Sequence, residues 1–206
     1  RWGPVAGNAT PTLKDEHGYF WPSVTDVVKH GDPDEVYLEI KSQLEKFRNM
    51  GLEPTHLDTH MGTLFASEAF LLKYIQLGIE NQIPVMFPGG HATLIQQETE
   101  YSEQQMQALR DLGEEIWQSG LPVLDDLHTN SYSWKISPDI DGNDAKIRAY
   151  KTAKFKETVK ALRPGLTQII VHSTNSTPHF ERITPSASLR KGDMLAMMDP
   201  DFINFL

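Results

Sequence analysis

The sequence predicts an α/β protein built from βα units around a mostly parallel sheet or barrel. Three observations lead there. Stretches with helical apolar periodicity alternate with short β-prone runs. One run, "TQIIVHS", carries Ile169, Ile170 and Val171 in succession, the pattern of a strand covered on both faces. Gly or Pro punctuates the junctions, at Gly51, Gly120 and Pro164-Gly165.

The elements follow in chain order. Residues 1–31 are rich in Gly, Pro and aromatic side chains and predict an ordered loop with short turns. "DPDEVYLEIKSQLEKFRNMG" predicts a helix capped by Asp32, with Pro33 in the first turn, Gly51 at its end, and Val36, Ile40, Leu44 and Phe47 on one apolar face. "THLDTH" reads as a strand. A second helix is expected from about Ser67 to Asn81, with Phe70, Tyr74 and Leu77 inward, and Pro84 to Phe87 as a short strand. A third helix is expected over "SEQQMQALRDLGEEIWQSG" and a strand over "LPVLDDL". A fourth helix should run from about Asp144 to Leu162, burying Ile147, Tyr150, Phe155, Val159 and Leu162. "TQIIVHS" is the last strand.

With 206 residues the chain is long enough for one sizeable domain, and residues 1–206 are read as one. The net charge of −9 and the lack of a Lys/Arg cluster disfavour nucleic acid and anionic membrane as partners. No apolar run approaches the ~20 residues of a membrane span. No signal pattern is present, which leaves the compartment open, with the cytoplasm preferred. Without cysteine there is no disulfide and no thiolate site, so a transition metal would need His, Asp or Glu.

The chemistry concentrates in "THLDTHMGTLF". In steps of two, this stretch sets His56, Asp58 and His60 on one strand face, with Leu57 and Thr59 between them. In parallel α/β folds functional groups gather at the carboxyl ends of strands. His60, just before Gly62, and His172, just after Val171, both fit. At ~3.3 Å per residue, His56 and His60 lie ~13 Å apart at Cα, too far to share one ion comfortably. His60 is therefore the expected metal ligand. Asp58 would orient an imidazole or accept a hydrogen bond behind the ligand, and His56, deeper along the strand, would be structural or support the ligand. A lone strand-end histidine is usually just a surface residue. Three polar groups on one face are harder to dismiss, because burying them unpaired is costly. His91, His128 and His179 read as loop histidines without a site role. Asp125 and Asp126 should face opposite ways and so not act as a pair. The loop residues Trp2, Trp21 and Trp134 read as packing rather than as sugar-stacking platforms.

Pro54, Thr55, His56, Leu57, Asp58, Thr59 and His60 resemble the Pro-Thr-His-x-Asp-Ser-His hallmark of the YdjC-like carbohydrate deacetylases, the group that includes chitooligosaccharide deacetylases. "RWGP", "GYFWPS" and "TQIIVH" resemble further segments of that family. The resemblance implies a distorted or incomplete (β/α) barrel of the NodB-like or TIM-like kind. It implies a divalent metal, zinc or magnesium, held in part by His60, and His172 as the general acid that protonates the leaving amine. The substrate expected is an N-acetylated oligosaccharide, with a homodimer left open. The family's first metal motifs and its base have no counterpart here, so the chain is expected to be an N-terminally truncated fragment, inactive alone. Gly62 and Leu64 stand where many members have further histidines, and Ser173 where many have Pro. Two other readings remain at this point: another metal-dependent barrel hydrolase, such as an amidohydrolase or phosphoesterase, or a non-catalytic sugar-binding protein on the same fold.

Overall fold

The structure, a computed structural model, describes residues 2–98 and 101–206; Arg1 of the "RWGP" segment lies outside the described residues. In chain order the helices and strands are α1 (Val24–His30), α2 (Pro33–Asn49), α3 (Glu68–Asn81), α4 (Thr93–Glu98), α5 (Glu103–Gln118), β1 (Asp126–His128), α6 (Asp144–Ala161), β2 (Thr167–Ile169), α7 (Pro178–Glu181), α8 (Ala187–Met197) and α9 (Pro200–Ile203). They fall into two compact units. The first comprises Arg1–Gly90 and Glu103–Val123, the second His91–Ser102 and Leu124–Leu206.

In the first unit, α2 starts where Asp32 accepts hydrogen bonds from the Asp34 and Glu35 N–H groups, with Pro33 in the first turn. Val36 and Leu44 are buried as expected, but Phe47 is 37% exposed. The buried face turns instead towards Glu39, whose carboxylate accepts from the Val5 and Ala6 N–H groups at 2.9 and 2.8 Å and fastens the N-terminal segment to α2. Tyr74, Ile75, Val85, Phe87, Ile116 and Leu121 form the main core. The expected loop over 1–31 holds two short 3-10 turns and, in addition, α1. Ser23 caps α1 by accepting from the Asp26 N–H, a signal the sequence carried in plain form.

In the second unit, β1 and β2 pair in parallel, with His128 opposite Ile169, and the Ile170 N–H extends the ladder by donating to the His128 carbonyl at 3.1 Å. Helix α6 is capped by Asn143, whose side chain accepts from the Lys146 N–H. Its inward side carries Ile147, Phe155, Thr152, Thr158 and Lys151, while Tyr150, Val159 and Leu162 are half-buried. Lys151 is fully buried and meets Asp193 of α8 at 2.6 Å, with the Asp193 side chain 5% exposed. Burial pushes the Lys151 ammonium below its ordinary value, against the pull of Asp193. Its Nζ lies 4.7 Å from the centre of the Trp134 ring. The two helices meet closely because α8 presents Gly192: a Cβ there would lie 2.8 Å from Lys151 Cγ and 2.9 Å from Ile147 Cγ2.

The architecture is thus an incomplete α/β fold with a small parallel sheet of two strands, and a barrel is not formed by the described residues. The expected "THLDTH" and Pro84–Phe87 strands are reduced to one parallel bridge, Leu57 to Val85. "TQIIVHS" pairs along Thr167–Ile169 only, and Ile169, Ile170 and Val171 are half-buried rather than enclosed. The reason is pairing: β-prone residues become ladder only where a neighbour supplies hydrogen bonds, and among the described residues β2 has one neighbour, β1. Among the described residues no helix is long and apolar enough to cross a membrane.

Removing one partner of the Lys151–Asp193 pair strands a buried charge. Asp193→Ala should cost about 3–5 kcal/mol in urea unfolding. The double replacement Lys151→Met with Asp193→Leu should recover most of that loss, because the cost lies in the uncompensated charge.

Candidate functional site

The motif segment keeps its two-residue alternation. Thr59 is buried and Leu57 half-buried, while His56, Asp58 and His60 are exposed on the other side. Leu57 is fixed through both of its backbone groups. Its N–H donates to the Pro84 carbonyl at 2.8 Å, and its carbonyl accepts from the Met86 N–H at 2.9 Å and from the Tyr74 hydroxyl at 2.5 Å. Tyr74 is 1% exposed, and burial, followed by the nearby Asp58 charge, drives its phenol well above the ordinary range. Beneath the polar face, the Thr59 hydroxyl accepts from the Leu64 N–H at 3.0 Å. The chain turns sharply just past His60, where Met61 (φ 56°) and Gly62 (φ 66°) are both left-handed. Glycine adopts that conformation freely, but methionine stores strain there.

His172 lies in the second unit, three residues beyond the last residue of β2, and is half-buried. Its backbone N–H donates to Asp193 Oδ2 at 3.0 Å, the same carboxylate that binds Lys151. Its ring Nδ1 is buried, and its Nε2 lies 3.0 Å from the Tyr132 hydroxyl. Tyr132 ends the turn Asn130–Tyr132 that follows β1. Tyr132, Lys151 and Asp193 were not singled out from sequence. Lys151 had a readable signal, since it sits four residues from both Ile147 and Phe155, on the apolar stripe of α6.

Asp125 and Asp126 separate as expected. Asp126 is buried and accepts from the Thr93 and Leu94 N–H groups at the start of α4. Asp125 accepts from the Leu166 N–H at 2.6 Å and meets His91 Nε2 at 3.0 Å. His128 is not a loop residue: it is buried in β1, near the Thr158 hydroxyl. Trp134 is half-buried, stacked edge-on against Phe155 with ring centres 4.9 Å apart, which is a packing role.

A model of the family described as YdjC-like protein matches residues 2–206. The chain belongs to the YdjC-like family. This YdjC-like chain thereby joins a family of carbohydrate-processing hydrolases. Among solved structures it is similar to a protein of Enterococcus faecalis V583 described provisionally as a cellobiose-phosphate cleavage protein, at 18% identity and a TM-score of 0.68, covering 98% of this chain and 67% of that one. At that identity the likeness concerns the fold.

A catalytic zinc site typically takes three protein ligands and a water. Among the described residues of this YdjC-like chain, no group of three or more His, Asp or Glu side chains converges in that way. His56 Nδ1 is engaged with the Thr55 hydroxyl at 3.0 Å, and Asp58 Oδ1 accepts from the Thr59 N–H at 2.6 Å. The motif presents donors on one face without closing them around a point, so these residues alone do not fit a three-donor centre.

Two outcomes follow from this geometry. Tyr74→Phe should cost about 1 kcal/mol, the worth of a typical hydrogen bond, and should speed hydrogen exchange at the Met86 amide. The Leu166 N–H, and secondarily His91, hold the Asp125 carboxyl below its ordinary value of 3.8. Its contribution to stability is therefore present above pH 3.8 and is lost as pH falls through the lower folded-state midpoint, which a carboxyl-resolved NMR titration would measure.

Proposed function

We propose that this chain serves a hydrolase that removes N-acetyl groups from carbohydrates of the chitooligosaccharide type. The observation that carries the reading is the Pro54–His60 motif, whose two imidazoles and one carboxylate share an exposed face in a chain of the YdjC-like family. His60 is the donor proposed for a divalent ion, zinc or magnesium. Asp58 and His56 are proposed to support it. Because the described residues do not complete a three-donor set, the chemistry proposed for this chain rests on His172.

Hydrolysis of an N-acetyl group needs water to add to the amide carbonyl and the amine to leave. Amide nitrogen leaves poorly until it is protonated, so the reaction needs a positioned acid, and imidazole titrates in the right range. In this reading protonated His172 hands its proton on from Nε2, because Nδ1 is buried. The Asp193 carboxylate steadies the backbone that carries it. The products are acetate and a free amino sugar.

A phosphorylated disaccharide is a second substrate reading, favoured by the description of the Enterococcus faecalis neighbour. The test is acetate release from N-acetylated chitooligosaccharides by this chain alone and by a form extended with the family's first metal motifs, with phosphorylated cellobiose assayed in parallel for cleavage. In the extended form, His172→Ala should slow acetate release by roughly 10²–10⁴-fold while leaving bound metal unchanged. In the extended form, His60→Ala should lose metal and activity together. Equal loss of metal from both variants would overturn the division of roles.

A further inference from the structure

The outward nitrogen of His172 already has a partner, the Tyr132 hydroxyl. It stands 3.0 Å from Nε2, with ring centres 4.7 Å apart and planes inclined by 57°. The opposite nitrogen, Nδ1, is buried, and Tyr132 is 50% exposed, so the phenol stands on the solvent side of the imidazole.

Both rings hang from fixed backbone. The Ser131 hydroxyl, in a residue only 2% exposed, donates to the Ile170 carbonyl at 2.9 Å and ties the Tyr132 turn to the strand that leads to His172. The Tyr132 N–H closes that turn on the Thr129 carbonyl at 3.2 Å. On the other side, Asp193 of α8 holds the His172 N–H, and Lys151 of α6 neutralises that carboxylate. The charged and titratable groups facing His172 thus include Tyr132 on the loop after β1 and the Lys151–Asp193 pair, reached through its backbone. A half-exposed tyrosine needs no such bracing to pack.

We propose that Tyr132 is a further catalytic residue, carrying the proton from His172 to the substrate. This rests on the reading of His172 as the acid. In the breakdown of the tetrahedral adduct, the carbon–nitrogen bond breaks and its electron pair goes to nitrogen. That nitrogen takes the proton of the Tyr132 hydroxyl. The Tyr132 oxygen takes the proton on His172 Nε2, and the imidazolium becomes neutral imidazole. A phenol with an ordinary pKa of about 10 does not persist as phenolate at neutral pH, so the two transfers run together. The ground-state requirement is that protonated His172 donates to the Tyr132 oxygen.

Two measurements test this. The first needs no activity: an NMR titration of the His172 ring, assigned with His172→Gln, in wild type and Tyr132→Phe. A hydrogen bond to the charged form favours that form, so its loss should lower the His172 midpoint by roughly half a unit, about threefold in acid constant. An unchanged or raised midpoint overturns the proposal. The second compares two substrates. Tyr132→Phe should slow acetate release from an N-acetylated chitooligosaccharide by roughly 10²-fold, the lower range for lost acid help. It should leave hydrolysis of 4-nitrophenyl acetate within about twofold, because nitrophenolate leaves without a proton. Equal loss on both substrates, or none on the amide, overturns the relay. Wild-type protein extended with the family's first metal motifs that releases no acetate from any N-acetylated sugar overturns the deacetylase reading, and with it the relay. The titration would then still judge the hydrogen bond by itself.

Discussion

The second unit is organised around a charge that cannot reach water. Lys151 projects from the apolar stripe of α6 into the space between α6 and α8, and Asp193 is the group that makes its burial tolerable. Desolvation opposes keeping that ammonium charged, and the short contact with the carboxylate offsets it. Other features depend on the arrangement. Gly192 must lack a side chain for the lysine stem to lie flat between the helices. The Trp134 ring covers the ammonium, and the second carboxylate oxygen takes the N–H of His172. Helix crossing, ring cover and the placement of a candidate acid are therefore one structural commitment.

The long helices α2, α3, α5 and α6 were legible because their signals are local. Asp32 and Pro33 mark the start of α2 by chemistry that acts within a turn, and the buried Val36, Leu44, Phe70, Tyr74, Leu77, Ile147 and Phe155 follow from 3.6-residue spacing. The strands were less legible because a strand is a relation between segments. "THLDTH" has the alternation of a strand and uses it, with Leu57 inward and three polar groups outward, yet it pairs at a single bridge. Phe47 was misplaced for a related reason. Glu39 had a tertiary use for the buried face that periodicity cannot see, namely two N–H groups from a segment more than thirty residues earlier. Helix α8 is hard to read from sequence because Gly192 weakens its propensity while serving the packing against α6.

Of the candidate site, sequence gave the residue types and the shared face of the motif. It could not give the surroundings of His172. Tyr132 lies forty residues away in the chain and meets His172 only because β1 and β2 run parallel with their carboxyl ends side by side. The strained turn at Met61 was equally hidden, since nothing in the composition of "HMGTLF" announces a methionine in the left-handed region.

The carboxylate of Asp126 has a consequence for the order in which the chain acquires structure. Helix α4, Thr93–Glu98, is far shorter than a helix needs to be to persist alone in water. Its first N–H groups are received by Asp126, a residue of β1 more than thirty positions later. The helix cannot gain its cap until that strand arrives, and α5 must be bridged in between. Folding of this segment is thus tied to a long loop closure rather than to local nucleation. The strand acts as a template in time as well as in space: α4 becomes a late reporter of β1, and the two should appear and fray as one cooperative event.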